Sequence, residues 1–244
     1  MRQRKAKDME QRLANCSDLM VDFPSPDAWE KAFPDSEDQT PAGAGPKLFL
    51  EIGCGKGQFI IEKAIADPAN NYLAIEGQET VILRALEKTR AASGQAVIND
   101  KIKVADEVRD IPNLKFACTF VEDMSKLFNE GQLAGIYLNF SDPWPKARHA
   151  KRRLTYRTRL MDYSWALEDG GFLEIKTDND GLYDFTLEEI GELNRADGVQ
   201  FEIVEQTRDL HGSDYESKRF MTEYEEKFNQ SGKNINYVQV IIHK

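Results

Sequence analysis

An acid and three alternating glycines lie together in the run Leu50-Glu51-Ile52-Gly53-Cys54-Gly55-Lys56-Gly57. Glycines there permit positive φ and let a ligand approach the backbone, while a following helix would offer free N–H groups at its first turn. The spacing is G-x-G-x-G, which differs from the dinucleotide pattern G-x-G-x-x-G. A carboxylate at Glu51 would repel a pyrophosphate but attract a ligand with an ammonium and a sulfonium, and S-adenosylmethionine carries both. A second acid, Glu76, ends the run Ala74-Ile75-Glu76, 25 residues further on. At a strand tip it could accept from both ribose hydroxyls. Each feature alone reads equally as a tight turn with surface acids; together they favour a nucleoside-containing cofactor, with the methyl donor preferred. Cys54 reads as a small turn residue because no His lies near it in sequence. The three cysteines, Cys16, Cys54 and Cys118, form no CxxC or Cys/His cluster, which argues against a disulfide scaffold and a zinc site.

A second chemical segment is Asn139-Phe140-Ser141-Asp142-Pro143-Trp144-Pro145-Lys146. Two prolines around a tryptophan fix φ twice and forbid helix, so Trp144 is presented on a stiff loop. A rigid aromatic beside an acid suits a planar base, by stacking and by accepting from base N–H groups. The bland alternative keeps Trp144 in the core and Asp142 in a turn. Residues 146–159 then hold seven Lys/Arg (Lys146, Arg148, Lys151, Arg152, Arg153, Arg157, Arg159) and no acid. In a chain of 32 Lys+Arg against 42 Asp+Glu, net −10, such a run is a local anomaly suited to phosphate anchoring. Global attraction to nucleic acid is excluded by the same charge, so any such binding must be local.

These residues need a scaffold. Short apolar runs (Leu48–Ile52, Tyr72–Ile75, Phe116–Val121, Ile136–Phe140, Phe172–Ile175) alternate with helical patterns, the signature of a parallel sheet flanked by helices. Helix faces are marked by Phe59, Ile60, Ala64 and Ile65; by Ile82, Leu83 and Leu86; by Met161 and Trp165, with Gly170-Gly171 as the C′ stop; and by Tyr183, Leu187 and Ile190. Val199–Val204 and Tyr237–Ile242 read as a closing strand pair separated by a long polar excursion. The spacing places Asp142 at the carboxyl end of a central strand, where open sheets bind ligands. Five of nine prolines fall within residues 1–46, which read as a basic, loosely structured extension before a domain over 47–244. Residues 93–113 read as a partly helical insertion. No apolar stretch is long enough for a signal or a membrane span, so a cytoplasmic protein is expected.

In this order, EIGCGKGQF, YLNFSDPWPKARHAKRRLTY, KTDN and TEYEEKF resemble the bacterial tRNA (guanine-N7)-methyltransferase family, over roughly Leu48 to the C-terminus. The resemblance implies a Rossmann-like class I S-adenosylmethionine-dependent methyltransferase, an α/β fold whose mostly parallel sheet has a closing antiparallel strand. It also implies action on guanine-46 of the tRNA variable loop, in a monomer or homodimer. Glu51, Gly53, Gly55 and Glu76 would bind the cofactor, and Asp142 would touch cofactor and base at the catalytic centre. Lys146, Asp178, Thr222, Glu223, Tyr224 and Glu225 would contact the substrate, and Arg148, Lys151, Arg152 and Arg153 the RNA backbone. Asp178 also reads as a helix N-cap, and Thr222–Glu225 as a polar helix start. One departure is Phe120, where the family usually has an acid reading the adenine amino group. Either Glu122 or Asp123 substitutes, or Phe120 packs on the adenine.

Guanine N7 has a free lone pair, so attack on a sulfonium methyl requires no prior deprotonation. Positioning and a negative environment for the cationic purine are what a site can add, and Asp142 could supply both by accepting from guanine N1–H and N2–H. Three rivals are methylation of an exocyclic amine, since the Asp142-Pro143-Trp144 loop is similar to the D/N-P-P-aromatic loops of such enzymes; an RNA-binding module without catalysis; and a nicotinamide enzyme, disfavoured by Glu51.

Overall fold

A computed structural model describes residues 8–21, 26–33, 45–93, 97–98, 101–102, 111–196 and 198–244. The chain divides into two compact units, Met1–Val121 and Glu122–Lys244.

In the first unit, α1 (Met9–Ala14) and α2 (Ala28–Ala32) precede β1 (Leu48–Ile52), α3 (Gln58–Ala66), β2 (Asn71–Ile75) and α4 (Glu79–Ala92). A short pair, β3 (Val97–Ile98) and β4 (Lys101–Ile102), and then β5 (Leu114–Ala117) complete it. β2 lies between β1 and β5, parallel to both. Apolar runs bounded by turns become buried strands here because helices cover them: Phe59, Ile60, Ile61 and Ala64 of α3 are buried, as are Ile82, Leu83, Ala85 and Leu86 of α4. Asn113 fastens the region, its buried amide within 2.8–3.1 Å of the carbonyls of Ala64, Asp67 and Asn70.

Two expectations need correction in this unit. β5 ends at Ala117, four residues before the Val121 expected from the apolar run, because it pairs with β2 only as far as Ile75. Lys115 interrupts the apolar pattern without breaking the strand, and its ammonium donates to the Asp18 carbonyl at 2.9 Å. Within 93–113 the described residues hold the antiparallel β3–β4 ladder, and the expectation of helix over 94–96, 99–100 and 103–110 lies outside the described residues. Part of the extension is built into the unit: Arg12 Nε donates to Glu87 at 2.7 Å, Arg90 pairs with Asp18, and Val21 N–H donates to the Phe116 carbonyl at 2.8 Å. The loosely structured extension expected over residues 1–46 lies outside the described residues at 1–7, 22–25 and 34–44.

The second unit contains β6 (Leu133–Asn139), α5 (Arg157–Ala166), β7 (Leu167–Thr177), α6 (Asp180–Leu193), β8 (Gln200–Thr207), α7 (Glu223–Gln230) and β9 (Asn236–His243). β7 runs parallel to β6 and antiparallel to β9, and β9 pairs antiparallel with β8, so the closing strand pair expected from the sequence is present. Every residue of β6 is buried, as suits a strand covered on both faces. α5 ends at Ala166 with Leu167 already extended, so Gly170-Gly171 is not its C′ stop. Instead the glycines lie in a four-residue excursion of β7, where the register jumps from Leu133↔Leu167 to Gly135↔Phe172. Leu160, Tyr163 and Ser164 form the buried face of α5, whereas Met161 is exposed. An Arg157 guanidinium, bidentate to the buried Glu189 at 2.8 and 2.9 Å, ties the start of α5 to α6 and holds that carboxyl below its usual range.

The cap of α6 is Asn179, whose Oδ1 accepts from Leu182 N–H at 2.8 Å; Asp178 does not serve as the N-cap. Replacing Asn179 by Ala is therefore expected to cost about 1 kcal/mol in urea unfolding. Asp178→Ala should leave the midpoint nearly unmoved, and a reversed order of the two would restore Asp178 as the cap.

Candidate active site

The glycine turn of the first unit has the conformation its composition suggests. Gly53 and Gly55 sit at φ 77° and 57°, with no atom within 4 Å of where a Cβ would stand, so backbone conformation, and not crowding, calls for glycine. Gly53 and Cys54 N–H groups both donate to the Ile75 carbonyl, at 2.7 and 3.1 Å, which draws the turn against the end of β2. Glu76 then folds back: one carboxylate oxygen accepts from Gly55 N–H at 3.2 Å and the other from Gln78 N–H at 3.0 Å. Turn and second acid are thus one object. Glu51, at the end of β1, is 1% exposed. Burial, and then the charges of Glu51 and Glu76, push the Cys54 thiol well up, so it is a poor nucleophile and the region is electronegative. Past the end of β5, Phe120 is 69% exposed with its ring laid against Gly77; a Cβ at 77 would meet the ring at 2.2 Å.

In the second unit β6 delivers the Asp142 loop through strained backbone. Phe140 and Trp144 have φ of 53° and 40°, unusual for residues with side chains and characteristic of sites where neighbours enforce a shape. Asp142 and Lys146 are exposed and Trp144 is partly exposed, so the core alternative for Trp144 is not realised. Arg152 lies over the Trp144 ring at 4.9 Å, and His149 meets the same ring edge-on at 5.7 Å. The seven cations of the basic run do not act alike. Lys146, Arg148, Lys151 and Arg152 face solvent. Arg153, expected on the RNA backbone, instead points inward: Nε donates to the Pro143 carbonyl at 3.0 Å, one Nη to the Trp144 carbonyl at 3.1 Å, and the guanidinium covers Phe185 of α6 at 4.1 Å.

The KTDN and TEYE segments meet. Phe140 and Tyr224 rings are 5.2 Å apart and Tyr224 and Phe228 4.5 Å, giving an aromatic row beside the Asp142 loop. Tyr224 is 46% exposed, and its hydroxyl is raised by burial, then by the charge and hydrogen bond of Asp178. Thr222 Oγ1 accepts from Glu225 N–H at 3.0 Å and caps α7, realising the polar helix start. Glu223 is partly exposed. Glu225 is a correction: its side chain is wholly buried, 3.5 Å from Lys176 Nζ and 3.1 Å from His211 Nε2, so it supports the segment from inside.

Lys176 and His211 were not expected. Lys176, also fully buried, donates to the Ser217 and Phe220 carbonyls at 2.7 Å each and so fastens the approach to α7 onto the end of β7. Burial outweighs this ammonium and pushes Glu225 up to about 7, while burial and then Lys176 lower His211. The one sequence signal was a lysine directly after the strand-sized run Phe172–Ile175.

Comparisons with known proteins identify the family and the fold. The methyltransferase family model Methyltransf_4 matches residues 46–238. A tRNA (guanine-N(7)-)-methyltransferase of Mesoplasma florum is 46% identical over 78% of this chain and 78% of its own. One from Limosilactobacillus reuteri is 43% identical over 77% and 78%. Among solved structures, the 16S rRNA methyltransferase KamB aligns with a TM-score of 0.60 at 11% identity over 92% of this chain and 96% of that one. An antibiotic-related methyltransferase aligns at 0.56 and 16% identity over 93% and 98%. The fold is therefore the class I methyltransferase fold.

Proposed function

Because the chain belongs to the tRNA (guanine-N7)-methyltransferase family, we propose that it transfers a methyl group from S-adenosylmethionine to N7 of guanine-46 in the variable loop of tRNA. The observation that carries the cofactor reading is the bond from Gly55 N–H to the Glu76 carboxylate, 3.2 Å long, beside the buried Glu51. Open backbone at Gly53 and Gly55 beside the two carboxylates of Glu51 and Glu76 fits a cationic nucleoside. When bound, S-adenosylmethionine supplies an electrophilic methyl on a sulfonium.

Glu51 would face the positive end of that ligand and Glu76 its ribose hydroxyls. Phe120 would offer its ring to the purine, since Asp123 is engaged with Ser125 N–H and Oγ at 3.0 and 2.7 Å. Asp142 would accept from guanine N1–H and N2–H and offset the charge that N7 methylation creates on the purine. Tyr224 and Asp178, neighbours in the structure, would complete the base contact together with Lys146, Thr222 and Glu223. Arg148, Lys151 and Arg152 would hold backbone phosphates. No helix among the described residues is long and apolar enough to cross a membrane. We place the enzyme in the cytoplasm, with its tRNA substrate.

The test is transfer of labelled methyl to tRNA lacking N7-methylguanine, followed by nucleoside digestion and mapping. Label in N7-methylguanosine at position 46 is expected. Label on an exocyclic amine, or none with the cofactor bound, would overturn the reading.

A further inference from the structure

Trp144 stands at φ 40°, a rotation about its N–Cα bond that lies between two carbonyls, that of Pro143 before it and its own after it. Arg153 grips both of these oxygens, at 3.0 and 3.1 Å. A planar fork bonded across one residue fixes that residue's backbone rotation, which a single-point cation cannot do. The fork is itself held flat by Phe185 at 4.1 Å, so the constraint runs from α6 through Arg153 into the loop. Asp142 is two residues before Trp144 and is followed by Pro143, whose ring fixes its own φ, so pinning residue 144 also limits where the Asp142 carboxylate can point. Neighbouring cations are placed differently: Arg148 and Lys151 are exposed, and Arg152 stacks on the indole face without reaching the loop backbone.

We infer that Arg153 is a positioning residue that holds the Asp142 loop in its strained, reactive shape, and that it makes no phosphate contact. The inference rests on the assignment of Asp142 proposed above, and the experiment separates the two. Initial rates of methyl transfer to tRNA are measured at several salt concentrations for the wild type, R153K, K151A, D142N and the double variant D142N/R153K, with melting temperatures as the folding control. Lysine keeps the charge at 153 but loses the fork. R153K is expected to melt near the wild type and to lose tenfold or more in kcat, with the slope of log KM against log salt unchanged. K151A should instead raise KM and lower that slope by about one, as expected for one phosphate contact. In the D142N background R153K should add no further loss, because both changes act through one carboxylate.

An R153K enzyme with near-normal kcat, or one whose salt slope falls as that of K151A does, would overturn the inference. A fully active D142N enzyme would instead remove the Asp142 assignment, whatever R153K does. Where lysine lowers the melting temperature below that of the assay, R153Q assayed at reduced temperature carries the same readouts.

Discussion

Asp142→Ala should lower the rate of methyl transfer at saturating cofactor by about 10²–10³, the usual cost of removing one fixed group that stabilises developing charge. The change comes from the purine, which gains a positive charge as N7 is alkylated. A carboxylate already in place meets that charge without reorganisation, whereas water must turn to do so. Asp142→Asn separates two contributions, since an amide oxygen can still accept from one base N–H but carries no charge. The Asn variant is therefore expected to keep most tRNA affinity and lose most turnover. Single-turnover transfer, with filter binding of tRNA alongside, distinguishes these outcomes. Near-normal turnover in the Ala variant would remove Asp142 from the chemistry.

Lys176→Met is expected to produce the largest loss of stability. It removes the ammonium that satisfies the Ser217 and Phe220 carbonyls and leaves the wholly buried Glu225 without its cation. Breaking a buried pair in this way costs about 3–5 kcal/mol. The pH dependence has a definite sign. An acid whose pKa is higher folded than unfolded binds more protons in the folded state, so its contribution to stability falls as pH rises between the two values. For Glu225 that window runs from the ordinary carboxylate range to about 7 in the wild type. His211, lowered by burial and then by Lys176, acts in the opposite sense, losing stability as pH falls below the usual imidazole range. Without Lys176 the Glu225 carboxyl rises further and the His211 imidazole is released from one of its lowering influences. The deficit of Lys176→Met relative to wild type should thus be larger at pH 8 than at pH 6, measured by urea unfolding at both. An equal deficit at the two would show that Glu225 is neutral throughout. Lys176→Met with Glu225→Gln should recover part of the loss at pH 8.

Much of the scaffold could be read before any coordinates, because its strands are apolar runs closed by turn residues and its helices carry apolar faces at steps of three and four. β1, the glycine turn, α3 and β2 follow one another as expected, and so do the antiparallel β8 and β9. Boundaries were harder where the environment changes within an element. Lys115 looks like an interruption, yet a strand tolerates it when its ammonium reaches a carbonyl outside the sheet. Asp178 and Asn179 are adjacent residues with similar capping chemistry, and only the backbone geometry selects Asn179. Arg152 and Arg153 differ even less in sequence, and what divides them is which oxygens each can reach. The Lys176–Glu225 pair spans 49 positions and could not be read from local spacing at all.

One feature of the amino-terminal region has a practical meaning for anyone shortening this chain. Met20 and Val21 lie along the outer margin of β5, where Met20 bridges Phe116 in parallel and Val21 N–H donates to the Phe116 carbonyl. This pair acts as a guard rail: cut it away, and the sheet would present bare peptide groups as a template on which another molecule could zip.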